Sequence, residues 1–140
     1  EVTIKVLKTL FAELGKKSVN LAGTIVKTNM VLPGRESGVK ALPLEVANAT
    51  LRALKSSLPS QLPGVVFLSG GQSPDEATAN LNEINKLKGD APWELSFSFA
   101  RALQEEPLAA WKGQDENVHP AQEAFIRRAR QVSLARQGKL

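Results

Sequence analysis

Ile4, Leu7, Leu10, Phe11 and Leu14 recur at steps of three and four, and Gly15 stands where a helix end would want it, so Glu1 to Lys17 reads as an amphipathic helix. Leu21 to Met30 then brings β-branched Thr24, Ile25 and Val26 between Gly23 and the Gly- and Pro-rich stretch Leu32 to Gly38, which predicts a short buried strand with Lys27 at its C-terminal end. Ala47, Leu51, Leu54 and Leu58 return to helical spacing after Pro43, and Pro59 and Pro63 punctuate the end of that helix. Gly64 to Leu68 is a continuous apolar run, the pattern of a strand covered on both faces, ending at Ser69. Ser73-Pro74-Asp75-Glu76 combines a cap, a proline at the first helical position and a glutamate three after the cap, so a helix starts there with Ala77, Leu81 and Ile84 inward.

Trp93, Leu95, Phe97 and Phe99 alternate with Glu94, Ser96 and Ser98, a period of two that predicts a third strand ending at Ala100-Arg101. Helical spacing resumes through Leu103, Leu108 and Trp111. A polar break from Lys112 to Asn117 precedes a last helix from about Pro120, with Phe125, Ala129 and Val132 inward and Arg127, Arg128 and Arg130 as a solvated face. Strand and helix alternate along the chain, which builds a parallel sheet through right-handed crossovers. A (β/α) barrel needs eight strands and about 250 residues, so three strands are either a small open sheet or the end of a larger barrel.

Composition narrows the chemistry. The 140 residues carry no Cys and one His, His119, which leaves no disulfide or thiolate metal site and argues against a His-based zinc site or a Ser-His triad within the chain. The longest apolar stretch is far short of the roughly 18 to 20 residues a membrane span needs, and no leader is evident, so a soluble, unanchored protein is expected. Eighteen Lys+Arg against fourteen Asp+Glu give +4. That small excess suits anionic ligands better than a nucleic-acid stripe, for which Arg127, Arg128 and Arg130 lack interleaved aromatics.

Parallel α/β folds collect chemistry at the C-terminal ends of their strands, where this sequence offers Lys27, Ser69-Gly70-Gly71-Gln72 and Ala100-Arg101. A lysine flanked by Ile25, Val26 and Met30 is expected to be desolvated, which lowers an ammonium pKa toward the range useful for attack on a carbonyl. Ser69 and the N–H groups of Gly70 and Gly71, beside a helix start, form an anion cradle, and Arg101 supplies a fork donor to the same phosphate. Each feature alone has an ordinary reading: a salt-bridged strand-end lysine, a Gly-Gly turn, an arginine at a helix end. Glu36, Asp75 and Glu76 read as solvated or capping groups, and Trp93 and Trp111 as packing.

Taken together, these segments resemble class I fructose-bisphosphate aldolase. Leu21-Ala22-Gly23-Thr24-Ile25-Val26-Lys27-Thr28-Asn29-Met30-Val31 is similar to the family's Schiff-base lysine segment, Phe67 to Ser73 to its phosphate loop, and Ser96 to Gln104 to its last strand. Asn80 to Asn85 and Ser133 to Lys139 extend the resemblance over essentially the whole chain, which corresponds to the last three βα units of the family's (β/α)₈ barrel plus a C-terminal helix. Residues 1–140 are then the C-terminal part of one barrel domain, with no second domain.

The resemblance implies a lyase of glycolysis and gluconeogenesis in which Lys27 forms a Schiff base with fructose 1,6-bisphosphate. Ser69, Gly70, Gly71, Ala100 and Arg101 would hold the phosphate of the dihydroxyacetone half. It also implies no metal or other cofactor, a cytoplasmic location, a homo-oligomer when complete, and neither nucleic acid nor membrane as partner. Thr28 stands where the family commonly has Pro, and Ala100 where it commonly has Gly. The family's acid–base carboxylates lie on earlier strands, and its C-terminal tyrosine has no counterpart, since the chain contains no Tyr. The expectation is a segment that needs an N-terminal barrel portion, in the same or another chain, and is poor or inactive by itself. The alternatives are an aldolase-derived interaction module without catalysis, or another Schiff-base enzyme such as a transaldolase.

Overall fold

A computed structural model describes all 140 residues, Glu1 to Leu140. Five α-helices surround one face of a three-stranded sheet: α1 (Val2–Lys16), β1 (Ile25–Thr28), α2 (Pro43–Lys55), β2 (Gly64–Phe67), α3 (Pro74–Leu87), β3 (Glu94–Phe97), α4 (Arg101–Trp111) and α5 (Val118–Arg136). The strands lie in sequence order and are parallel throughout, with Val26, Val65 and Leu95 in one register row and Lys27, Val66 and Ser96 in the next. The strand expected over Leu21 to Met30 is shorter at both ends. Leu21–Gly23 forms a 3₁₀ turn instead, because Asn20 caps it with its side-chain oxygen on the Ala22 N–H and holds the backbone out of the sheet.

Val26, Val65, Leu95 and Phe67 project to the helix-covered side, where they meet Val46, Leu54, Leu81 and Ile84 in one continuous core. Trp93 is buried as expected and its indole N–H donates to the Pro59 carbonyl at 2.8 Å. Trp111, by contrast, is exposed on the outer side of α4. The opposite face of the sheet carries Ile25, Lys27, Val66, Leu68, Ser96 and Ser98, and no helix of this chain covers it.

α3 begins where the sequence places it. The Glu76 N–H donates to Ser73 Oγ at 3.2 Å, and the Ser73 N–H donates to Glu76 Oε2 at 2.8 Å, a reciprocal pair that satisfies two otherwise orphaned donors. The Ser73 hydrogen bonds hold the Glu76 carboxyl below its ordinary pKa. A lowered carboxylate pKa contributes stability that is present above the unfolded value and lost as pH falls through the folded one. Ser73→Ala is expected to cost about 1 kcal/mol in urea unfolding at neutral pH, and to raise the Glu76 titration, followed by NMR, only in part, because the backbone N–H of residue 73, the larger cause of the lowering, still donates to the carboxylate.

α5 differs from the pattern read off the sequence. Its buried residues are Ala124, Arg128, Val132 and Ala135, while Phe125 stays 45% exposed and Arg128 only 2%. The helix is therefore rotated so that a stripe of small residues, not the bulky Phe125, faces α3 and α4. Small side chains let the three helices approach, and the long Arg128 side chain fills the space between them. Beyond α5, Gly138 adopts φ +67°, which turns the chain end onto α3. There the Leu140 N–H donates to Asn82 Oδ1 at 3.0 Å and Asn82 Nδ2 donates back to the Leu140 carbonyl at 3.3 Å.

Candidate active site

Because all strands are parallel, their C-terminal ends share one edge of the sheet, and every predicted site residue lies at that edge or on the open face beside it. Lys27 is the third residue of β1 and alternates to the open face. Val26 and Met30, expected to desolvate it, are buried on the helix side, so in this chain the Lys27 side chain is exposed. The period of two that hides Val26 is the reason. Any desolvation of Lys27 must come from groups packed over the open face.

The ladder continues one residue past the strands: the Leu68 N–H donates to the Thr28 carbonyl at 2.9 Å and the Ser98 N–H to the Phe67 carbonyl at 2.8 Å. This carries β2 straight into Ser69, which is buried. A turn follows in which the Gln72 N–H donates to the Ser69 carbonyl at 3.2 Å, with Gly70 and Gly71 at its centre. Gly71 has φ +80°, a conformation that excludes nearly every other residue there. Val66 is the register partner of Lys27 and Ser69 follows it by three residues. At about 3.3 Å per residue and about 4.8 Å between strands, the Lys27 and Ser69 Cα atoms stand roughly 11 Å apart. A phosphorylated three-carbon ketone is of the size to bridge them.

The loop is anchored from behind. Asn80 Nδ2 donates to Gln72 Oε1 at 2.7 Å, while Gln72 Nε2 is buried without a partner. Beside it, a cleft of about 660 Å³ lined by Pro33, Arg35, Lys40, Gln72, Glu76 and Asn80 separates the β1–α2 loop from α3. That cleft includes neither Lys27 nor Arg101.

The two helix starts at this edge are built differently. α3 is closed by its own Ser73–Glu76 pair, whereas α4 starts at Ala100, which offers no side-chain cap. The Leu103 and Gln104 N–H groups both donate to the Ala100 carbonyl at 3.0 Å, and the Arg101 and Ala102 N–H groups receive no side-chain cap. A helix N-terminus carries about half a positive charge, so an open one with an exposed Arg101 beside it favours an anion. No three His, Cys, Asp or Glu side chains converge to hold a metal ion.

One residue at this edge escapes the sequence reading. The Arg128 guanidinium, buried under the starts of α3 and α4, donates from Nη2 to the Pro74 carbonyl at 2.9 Å and Thr78 Oγ1 at 2.8 Å, and from Nε to the Ala102 carbonyl at 3.2 Å. Nη1 reaches Asp75 at 3.0 Å and Gln131 at 2.9 Å. Asp75 is thus an ion-pair partner as well as a first-turn acid. The signal that could have found it is the spacing Ala124, Arg128, Val132, Ala135, which puts the arginine in the middle of a small-residue stripe.

A family model described as "Fructose-bisphosphate aldolase class-I" matches residues 1–140. This chain belongs to the class I fructose-bisphosphate aldolase family. It is 52% identical over 137 residues to fructose-bisphosphate aldolase 4, cytosolic, of Arabidopsis thaliana, and 49% identical over 138 residues to fructose-bisphosphate aldolase C of Rattus norvegicus. These matches take in 98% and 99% of this chain but 35% and 38% of the relatives, so it spans little more than a third of their length.

The structure of fructose-bisphosphate aldolase from Plasmodium falciparum, solved in complex with TRAP and a small-molecule inhibitor, superposes with a TM-score of 0.94 at 48% identity, over 99% of this chain and 40% of that one. The three βα units are accordingly an arc of the aldolase (β/α)₈ barrel, and the uncovered sheet face corresponds to the barrel interior. The Arabidopsis thaliana relative is named cytosolic and one from Cicer arietinum cytoplasmic, and no helix of this chain is long and apolar enough to cross a membrane.

Proposed function

We propose that this chain carries the nucleophile and one phosphate cradle of a fructose 1,6-bisphosphate lyase, acting in the cytoplasm without a metal or other cofactor. The observation that carries the reading is the placement of Lys27 on the open sheet face, with the Ser69–Gly71 turn and the Ala100–Arg101 helix start at the same strand edge. Residues 1–140 form the C-terminal part of a single barrel domain, and an N-terminal barrel portion, in the same or another chain, covers Lys27 and supplies the acid–base carboxylates. The complete enzyme is a homo-oligomer.

In the forward reaction the neutral Lys27 Nζ adds to the ketone carbon, and loss of water leaves a protonated imine. The bond between the third and fourth carbons then breaks. Its electron pair moves into the imine to give an enamine, and the fourth-carbon hydroxyl gives up its proton as glyceraldehyde 3-phosphate departs. Protonation of the enamine and hydrolysis of the imine release dihydroxyacetone phosphate and regenerate Lys27. The cationic imine takes up the electron pair, so this step needs no metal ion. The Ser69 hydroxyl, the Gly70 and Gly71 N–H groups, the open start of α4 at Ala100 and the Arg101 fork hold the phosphate on the retained half, fixing the ketone within reach of Nζ.

Borohydride trapping with dihydroxyacetone phosphate tests the proposal. A reduced adduct mapped to Lys27 is expected. A folded chain that yields none there, yet still assembles with other barrel segments, belongs instead to the non-catalytic interaction class. Arg101→Ala removes a charge-assisted contact of about 2 kcal/mol, so half-saturation by dihydroxyacetone phosphate should shift upward roughly thirtyfold, with little change in melting temperature because Arg101 is exposed.

A further inference from the structure

We infer that Arg128 is a positioning residue that sets the two halves of the phosphate cradle at a fixed separation, an inference that rests on the function proposed above. The cradle is made of two backbone pieces from different βα units, the turn after β2 and the start of α4. The guanidinium ties them together from below. Nη2 grips Pro74, the first residue of α3, through its carbonyl, and also Thr78 Oγ1, whose own hydroxyl donates to the same Pro74 carbonyl at 2.7 Å. Nε grips the carbonyl of Ala102, the residue next to Arg101. One planar fork with fixed angles therefore defines where the Ser69–Ser73 turn enters α3 relative to where Arg101 opens α4.

The chemistry of the site argues that this placement is more than a strut. A buried guanidinium costs several kcal/mol of desolvation, and two helix N-termini are an unfavourable place for a positive charge. The carboxylates nearest to it do little to offset this, since Asp75 is 92% exposed and Glu106, 3.5 Å from Nε, is more than a third exposed. An apolar side chain of similar length would fill the same space between α3, α4 and α5. What it would not supply is the directional bonding of two helix starts, and a displacement of about 1 Å in such a site is enough to change rates by about a hundredfold.

The test compares a phosphorylated with an unphosphorylated ketone on this chain assembled with the N-terminal barrel portion that covers Lys27. Borohydride trapping rates at Lys27 are measured with dihydroxyacetone phosphate and with dihydroxyacetone, and affinity for inorganic phosphate is measured by calorimetry, for the parent chain, Arg128→Lys, Arg128→Met and Thr78→Val. The expected result is that both Arg128 variants keep the dihydroxyacetone rate while the preference for the phosphorylated ketone falls at least about tenfold, with phosphate affinity falling in step. Thr78→Val, which removes a single acceptor, should fall severalfold and serves on its own if the Arg128 variants do not fold. Equal loss for both ketones, or an unchanged preference in all folded variants, overturns the positioning role. A parent chain with no preference for the phosphorylated ketone shows, before any variant is made, that the phosphate cradle itself was misassigned, and this inference falls with it.

Discussion

Lys27→Met is expected to abolish the borohydride adduct at the β1 peptide, a loss of at least about a thousandfold in trapping rate, while shifting stability by no more than about 0.5 kcal/mol. The two halves of this expectation come from different properties of one side chain. Removing the nucleophile removes the only amine on a strand at this sheet edge that can form the imine, and the phosphate cradle cannot compensate because it makes no covalent bond. Lys27 nevertheless contributes little to folding, because its side chain is exposed on the uncovered sheet face and takes part in no ion pair here. It is also the only lysine on a strand. Adducts spread over the helical and loop lysines, or retained after Lys27→Met, would mean that trapping reports accessibility and not a site. Intact mass with peptide mapping separates these outcomes.

The largest effect on stability is expected from Phe67→Ala, about 3 to 5 kcal/mol, or roughly 10 to 15 °C in melting temperature for a chain of this size. Phe67 is fully buried at the end of the central strand, with Thr28 and Phe97 as its register partners. Truncation leaves a cavity that cannot collapse readily, because the ring is bounded by neighbouring strands on both sides and by helices above. Since Ser69 follows two residues later, the same change should loosen the phosphate turn, so affinity for phosphate should fall along with the unfolding midpoint. Urea denaturation gives the first quantity and calorimetry the second. A loss below about 1 kcal/mol would show that the core under β2 repacks.

Elements with a local cause were legible in the sequence. The start of α3 is dictated by Ser73, Pro74 and Glu76 within four positions, and β3 by strict alternation over Trp93 to Phe99, although its paired portion is only Glu94–Phe97. Segments held by distant partners were not. The rotation of α5 about its axis depends on how closely α3 and α4 allow it to approach. Two element ends were missed although nothing distant sets them: β1 is shortened by the local Asn20 cap on Leu21–Gly23, and α5 starts at Val118 instead of near Pro120. The candidate site was legible as residue types at strand ends, and the face of β1 that Lys27 occupies follows from its alternation with buried Val26. Arg128 was not, because one arginine among three looks like a charged surface until the facing carbonyls of Pro74 and Ala102 are in place.

The in-order arrangement of the strands also bears on how the sheet assembles. Pairing Ile25 with Gly64 closes a segment of roughly 40 residues and pairing Gly64 with Glu94 one of roughly 30. The entropic costs of these two closures differ by only about 0.2 kcal/mol. Chain statistics therefore give neither pairing a lead, and the sequence of events falls to side-chain burial, which centres on Val65 and Phe67 of the strand common to both. Assembly can begin from either side of β2, and a lesion in that strand should slow both routes at once.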